Sequence, residues 1–185
     1  MKNILNITVL FSLVFLMFSC RGNDVPEDIH EHEEIEKVTL TVTESGNTGN
    51  VQIISYIGGN ADSPLMLENG KTYSVSIDFF HKHDGEYESM LDEIIEEKDQ
   101  HFITYEFGGI TANLMRTDGD VVRNDGKKLG LKTEWSITSA PVSAKVFIKL
   151  YHQSVAVDDH FPSASNQQGK VTGGEADADI KIDIQ

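Results

Sequence analysis

The chain has 185 residues, with 30 acidic side chains against 15 basic, a formal charge of −15 and a hydrophobic fraction of 39%, proportions that suit one soluble domain behind an export signal. Acid outnumbering base two to one excludes a phosphate-backbone binder, which needs a clustered basic face. A single cysteine excludes a disulfide framework and a zinc cluster built on thiolates.

Lys2 is followed by an apolar run through Ile7, Leu10, Phe11, Leu13, Phe15 and Phe18, and the small residue Ser19 precedes Cys20. About 12 apolar residues fall short of the ~20 that a helix needs to span a bilayer, so residues 1–19 read as a cleaved signal peptide. The small residue directly before the lone cysteine resembles a bacterial lipobox, which implies that Cys20 is acylated and anchors the chain. Residues 20–36 contain Pro26, few apolar side chains and a dense acidic run, the composition of a solvated tether. Acid close behind the cysteine resembles the surface-export signal of Bacteroidota lipoproteins, and implies an outer-membrane lipoprotein on its periplasmic or cell-surface face. His30 and His32 belong to this charge run and read as solvated.

From residue 37 to residue 185 the pattern is that of a β domain. Period-two alternation predicts strands over residues 37–43, 50–57, 72–80, 101–107, 111–117, 129–137, 144–151 and 177–184. Turn signals such as Gly58-Gly59-Asn60, Asn69-Gly70 and Gly108-Gly109 separate them. About eight short strands in this length give a mainly β fold, an antiparallel Ig-like sandwich or a small barrel. One short amphipathic helix interrupts it: Tyr87, Met90, Leu91, Ile94 and Ile95 recur at helical spacing, with Glu88, Asp92, Glu93, Glu96 and Glu97 opposite. Glu96 and Glu97 near its C-terminal end oppose the helix dipole and call for a nearby cation.

Several pieces together resemble a family of small Bacteroidota lipoproteins of unsettled role, some of them labelled type 1 periplasmic-binding-fold proteins. They are the opening strand Val38-Thr39-Leu40-Thr41-Val42-Thr43, the acidic stretch Asp92-Glu93-Ile94-Ile95-Glu96-Glu97 leading to His101, the strand end Leu150-Tyr151-His152-Gln153, and the closing Gly173-Gly174-Glu175-Ala176-Asp177 with Ile180. The periplasmic-binding label implies two α/β lobes, whereas these residues predict one β domain.

Seven histidines are the main chemical clue. With successive strands antiparallel, the long loops gather at the end of the domain away from the anchor. Residues two apart share a strand face. His81 therefore continues the row Tyr73, Val75, Ile77, Phe79, His101 begins the row Ile103, Tyr105, Phe107, and His152 extends the row Val146, Ile148, Leu150. His83 shares the parity of His81. Imidazoles converging at a rim among carboxylates are ligands for zinc, copper(II) or nickel, with Glu97 as an oxygen donor. The expected metal set is thus His81, His83, His101, His152 and Glu97. The loop Asp118, Asp120, Asn124, Asp125, Gly126 offers oxygen donors, but its spacing is not the EF-hand series and Asn-Asp-Gly is first a turn signal.

No GxSxG elbow presents a nucleophile, the only thiol is assigned to lipid, and the single tryptophan, Trp135, belongs to a strand. The sequence therefore points to a non-enzymatic, lipid-anchored binding protein that captures a transition-metal ion, zinc or copper, for an outer-membrane transporter. The alternative is a structural or interaction lipoprotein whose histidines hold no metal.

Overall fold

The computed structural model describes residues 34–185. The expected signal peptide, Cys20, His30 and His32 lie outside the described residues, and of the expected tether only residues 34–36 lie within them, forming no strand. The described residues form one compact unit. Among the described residues no helix is long and apolar enough to cross a membrane.

The expected β-sandwich is present, without a closed barrel. The larger sheet contains β1 (Lys37–Glu44), β2 (Val51–Ile57), β3 (Asn60–Ala61), β4 (Thr72–His83), β5 (Glu86–Ser89), β7 (Ala112–Arg116) and β8 (Lys132–Ile137). Its order is β3-β2-β1-β4-β8-β7, with β5 added beside β4. The smaller sheet has β9 (Ala144–His152) between β6 (His101–Gly108) and β12 (Glu175–Ile184), and β10 (Ala156–Asp158) pairs with β11 (Lys170–Thr172) in a hairpin. Alternation explains the packing. Tyr73, Val75, Ile77 and Phe79 of β4 and Val146, Ile148 and Leu150 of β9 point into one core, which holds Trp135, Leu40 and Ile180 as well. Tyr105 and Phe107 meet Trp135 edge-on, with ring centroids 5.8 and 5.0 Å away.

The helix is shorter than its periodicity suggested. Asp84 and Gly85 both have positive φ, 51° and 91°, the geometry of a tight two-residue hairpin. Tyr87 and Glu88 accordingly pair with Lys82 and His81 as part of β5, and α1 spans only Leu91–Glu96. The cation beyond its C-terminal end is Arg123, whose Nη1 donates to the Lys98 carbonyl at 3.1 Å. The strand predicted from residue 129 starts at Lys132, because Gly130 has φ +104° and the Gly130 and Leu131 N–H groups donate to the Asp120 carboxylate at 2.7 and 2.9 Å.

The long loops do share one end, but it is the end where β1 begins. β4 is antiparallel to β1, with Phe80 opposite Lys37 and Tyr73 opposite Glu44. The reason is the connection between β3 and β4. It runs back along the molecule, with Leu65 N donating to the Asp183 carbonyl at 2.8 Å and Gln185 N to the Leu65 carbonyl at 2.9 Å. Simple alternation of successive strands would send β4 outward, away from the start of β1; this segment makes that outward stroke instead, and β4 makes the return.

Two irregular segments bind the sheets to each other. Residues 65–67 bridge to the end of β12, and residues 166–169 lie between β7 and β6. There, Gln167 N donates to the Leu114 carbonyl at 2.6 Å and Tyr105 N to the Gln168 carbonyl at 2.8 Å. Arg116, 2% exposed, fixes this second seam. Its guanidinium donates to the carbonyls of Ile103 at 2.7 Å, Lys128 at 2.9 Å and Gln167 at 3.2 Å, and lies 4.4 Å over the Phe102 ring. Gly130 and Gly169 leave room for it: a Cβ at either would collide with the guanidinium.

Candidate metal centre

His101 opens β6 and His152 closes β9, and the two residues face each other in the ladder. Each ends an apolar row, so each ring is held at the rim of the core, 5% and 6% exposed. The rings stack with centroids 4.8 Å apart and an interplanar angle of 20°. Glu97 follows α1 directly. Its carboxylate and the two imidazoles present one donor atom each, all within 4.8 Å of one another. The Glu97 Oε2 atom is buried and has no hydrogen-bond partner.

An oxygen stands within reach of one nitrogen of each ring. His101 Nδ1 lies 3.2 Å from the Glu97 carbonyl oxygen, and His152 Nε2 lies 3.3 Å from Gln100 Oε1. A proton on each of these nitrogens makes Nε2 of His101 and Nδ1 of His152 the basic positions, and an imidazole donating its other N–H to an oxygen is the usual setting of a metal-bound histidine. Tetrahedral coordination at about 2.0–2.1 Å sets donor atoms about 3.4 Å apart, so a bound ion would draw the widest-spaced of the three closer together.

Asp177 is the residue that sequence reasoning missed. The β12–β9 register slips between Ala176 and Ala178, which makes Asp177 the extra residue of a β-bulge, a device that re-aims a side chain. Its Oδ2 stands 3.8 Å from His101 Nε2. Asp177 also lines a groove of about 420 Å³ with Ile35, Tyr56 and Tyr87. No spacing rule in the sequence announces a bulge; the run Glu175-Ala176-Asp177-Ala178-Asp179 alternates evenly.

The other two expected ligands stand elsewhere. His81 and His83 do face the same way, with centroids 6.4 Å apart, but both turn toward Glu88 of β5, at 3.9 and 3.6 Å. Among the described residues, the side-chain groups close enough to share an ion are Glu97-His101-His152 and Asp158-Asp159-His160, and neither includes His81 or His83. The hairpin that sequence reading took for helix accounts for this, since it brings Glu88 opposite His81.

The acidic loop that follows β7 is committed to structure. Asp120 accepts from the N–H groups of Val121, Gly130, Leu131 and Lys132, Asn124 donates to Asp99, and Asp125 pairs with Arg123 and Lys127. Compared with known proteins, the chain matches no family model, no curated protein and no solved structure.

Proposed function

We propose that this chain is a lipid-anchored cell-envelope protein, held through Cys20, that captures a zinc or copper(II) ion at Glu97, His101 and His152, with Asp177 as a fourth donor, and delivers it to an outer-membrane transporter. The observation that carries this reading is the meeting of two buried imidazoles with a carboxylate whose buried Oε2 makes no hydrogen bond. Such an oxygen is costly to bury by itself, and a divalent cation satisfies it. Two histidines and a carboxylate form a donor set suited to zinc with a position left for Asp177 or water. The acidic chain, at −15, attracts cations toward the site.

The test is titration calorimetry of residues 34–185 with zinc chloride and with copper(II) sulfate. One ion per chain is expected, with Glu97→Gln and His101→Ala each abolishing the site and His81→Ala/His83→Ala leaving it intact. Affinity weaker than about 100 μM, close to −5.5 kcal/mol, sinks the proposal. The second reading, a protein-interaction lipoprotein, is favoured by the exposed Ile53 and Met66, 62% and 51% accessible beside Val51 and Ile57.

A further inference from the structure

A second pocket, of about 330 Å³, opens on the face of the larger sheet turned away from the core. Its floor is made of cross-strand neighbours: Thr39 opposite Asp78 and Thr41 opposite Ser76, with Lys132 opposite Ser76 on the next strand. These side chains alternate with the buried Val75, Ile77 and Phe79 and so face outward. Leu91 and Ile95 of α1 and Val121 of the loop after β7 form apolar walls. The floor is incompletely satisfied. Thr39 Oγ1 is buried and has no hydrogen-bond partner. Asp78 takes a hydrogen bond from Ser89 Oγ at 2.8 Å, and partial burial raises its carboxyl above the ordinary range. The carboxylates that pair with lysines among the described residues serve Lys71, Lys127, Lys128, Lys145 and Lys149, and none serves Lys132.

We propose that this pocket binds a small zwitterion with an apolar body, of the class of apolar α-amino acids and their dipeptides. The ammonium group donates to Asp78 and to Thr39 Oγ1, the carboxylate meets Lys132, and the side chain lies between Leu91, Ile95 and Val121. Diagonal neighbours on adjacent strands lie about 7–8 Å apart, a span that the two ends of a small zwitterion bridge and a bare ion does not. Other chemistries fit less well. A simple cation leaves Lys132 unmatched, a simple anion meets Asp78, and an uncharged apolar molecule buries Asp78 and Thr39 further without adding a hydrogen bond to either.

The experiment is saturation-transfer NMR and calorimetry on residues 34–185, which carry their own core, in EDTA so that metal binding plays no part. The probes are L-phenylalanine and L-leucyl-L-leucine, with phenethylamine lacking the carboxylate and N-acetyl-L-phenylalanine lacking the ammonium. At least one zwitterion should bind, each truncated probe should bind about tenfold more weakly, and Asp78→Asn and Lys132→Met should each weaken the zwitterion about tenfold, with folding checked by circular dichroism. Lys132 is exposed, so its variant carries the test if Asp78→Asn fails to fold. No transfer to either zwitterion at about 10 mM overturns the proposal, as does phenethylamine binding as well as phenylalanine.

Discussion

Replacing Arg116 with methionine should destabilise the domain by about 3–5 kcal/mol, a large share of the ~5–15 kcal/mol that holds such a domain folded. The guanidinium donates to the carbonyls of Ile103, Lys128 and Gln167, at 2.7, 2.9 and 3.2 Å, the Lys128 bond being part-buried and the other two buried, and each bond from a charged donor is worth about 1.5–3 kcal/mol net. Their sum, about 5–9 kcal/mol, is an upper limit, because bonds that share one side chain are not additive and burial of the cation is itself unfavourable through desolvation. That desolvation is visible as a pKa pushed below the usual guanidinium value, with burial as its main cause. Methionine retains some contact with Phe102 and leaves the Ile103, Lys128 and Gln167 carbonyls without this donor. Urea denaturation followed by tryptophan fluorescence reads the change at Trp135. With a slope near 2 kcal/mol per molar, the midpoint should fall by about 1.5–2.5 M. Arg116→Lys should recover less than half of the loss, because an ammonium lacks the planar fork that reaches three acceptors. A loss below about 1 kcal/mol for the methionine variant would show that the carbonyls rehydrate freely and that Arg116 does not hold the β6–β7 seam.

Gly169→Ala should cost more than Gly126→Ala, although both glycines have positive φ, +87° and +84°. At 126 the added methyl meets open space and costs only the ~1–2 kcal/mol of left-handed backbone strain, whereas at 169 it also strikes Phe102 and Arg116 and should cost about 3 kcal/mol or more. Equal midpoints in denaturation would refute the contact argument. Burial raises the Tyr105 phenol above its ordinary value of 10.0, so the folded state holds this proton more tightly than the unfolded chain does. Its contribution is full below pH 10 and declines above it, by up to ~1.4 kcal/mol per pH unit. Tyr105→Phe should lose about 1 kcal/mol at neutral pH with the hydrogen bond to Gly130, yet decline less steeply in alkali; parallel alkaline profiles would contradict this. Glu97→Gln should leave the metal-free domain as stable as the parent or up to about 1 kcal/mol more stable, since the buried Oε2 of the carboxylate accepts no hydrogen bond that the change would break. A thermal melt in EDTA showing clear destabilisation would count against the proposed role of that carboxylate.

Much of the strand layout was legible because the inner faces alternate strictly. The row Val146, Ile148, Leu150 led straight to His152, and the row Ile103, Tyr105 back to His101. The same rule contained a signal that went unused: Ala112, Leu114 and Arg116 form one buried row, so a cation stood in a core slot and required acceptors. Local pattern failed where pairing overrode it. Tyr87 fits a helical stripe, but the Asp84-Gly85 turn returns it onto β4 as strand. The site was half legible for a related reason. Parity places His101 and His152 at the rim, while the direction of β4 and the bulge at Asp177 depend on tertiary pairing that no local window contains.

The two seams have a consequence for how the chain acquires its fold. One needs Leu65 to meet Asp183, and the other needs Arg116 to meet Gln167. Both locks therefore wait for residues late in the sequence, and both close long loops before they gain any stabilisation. A chain emerging N-terminus first, from a ribosome or through a translocase, has its first hundred residues in hand without either lock. It remains open, and so threadable, until β12 and the segment before β11 arrive, and the sandwich then closes on both sides almost together.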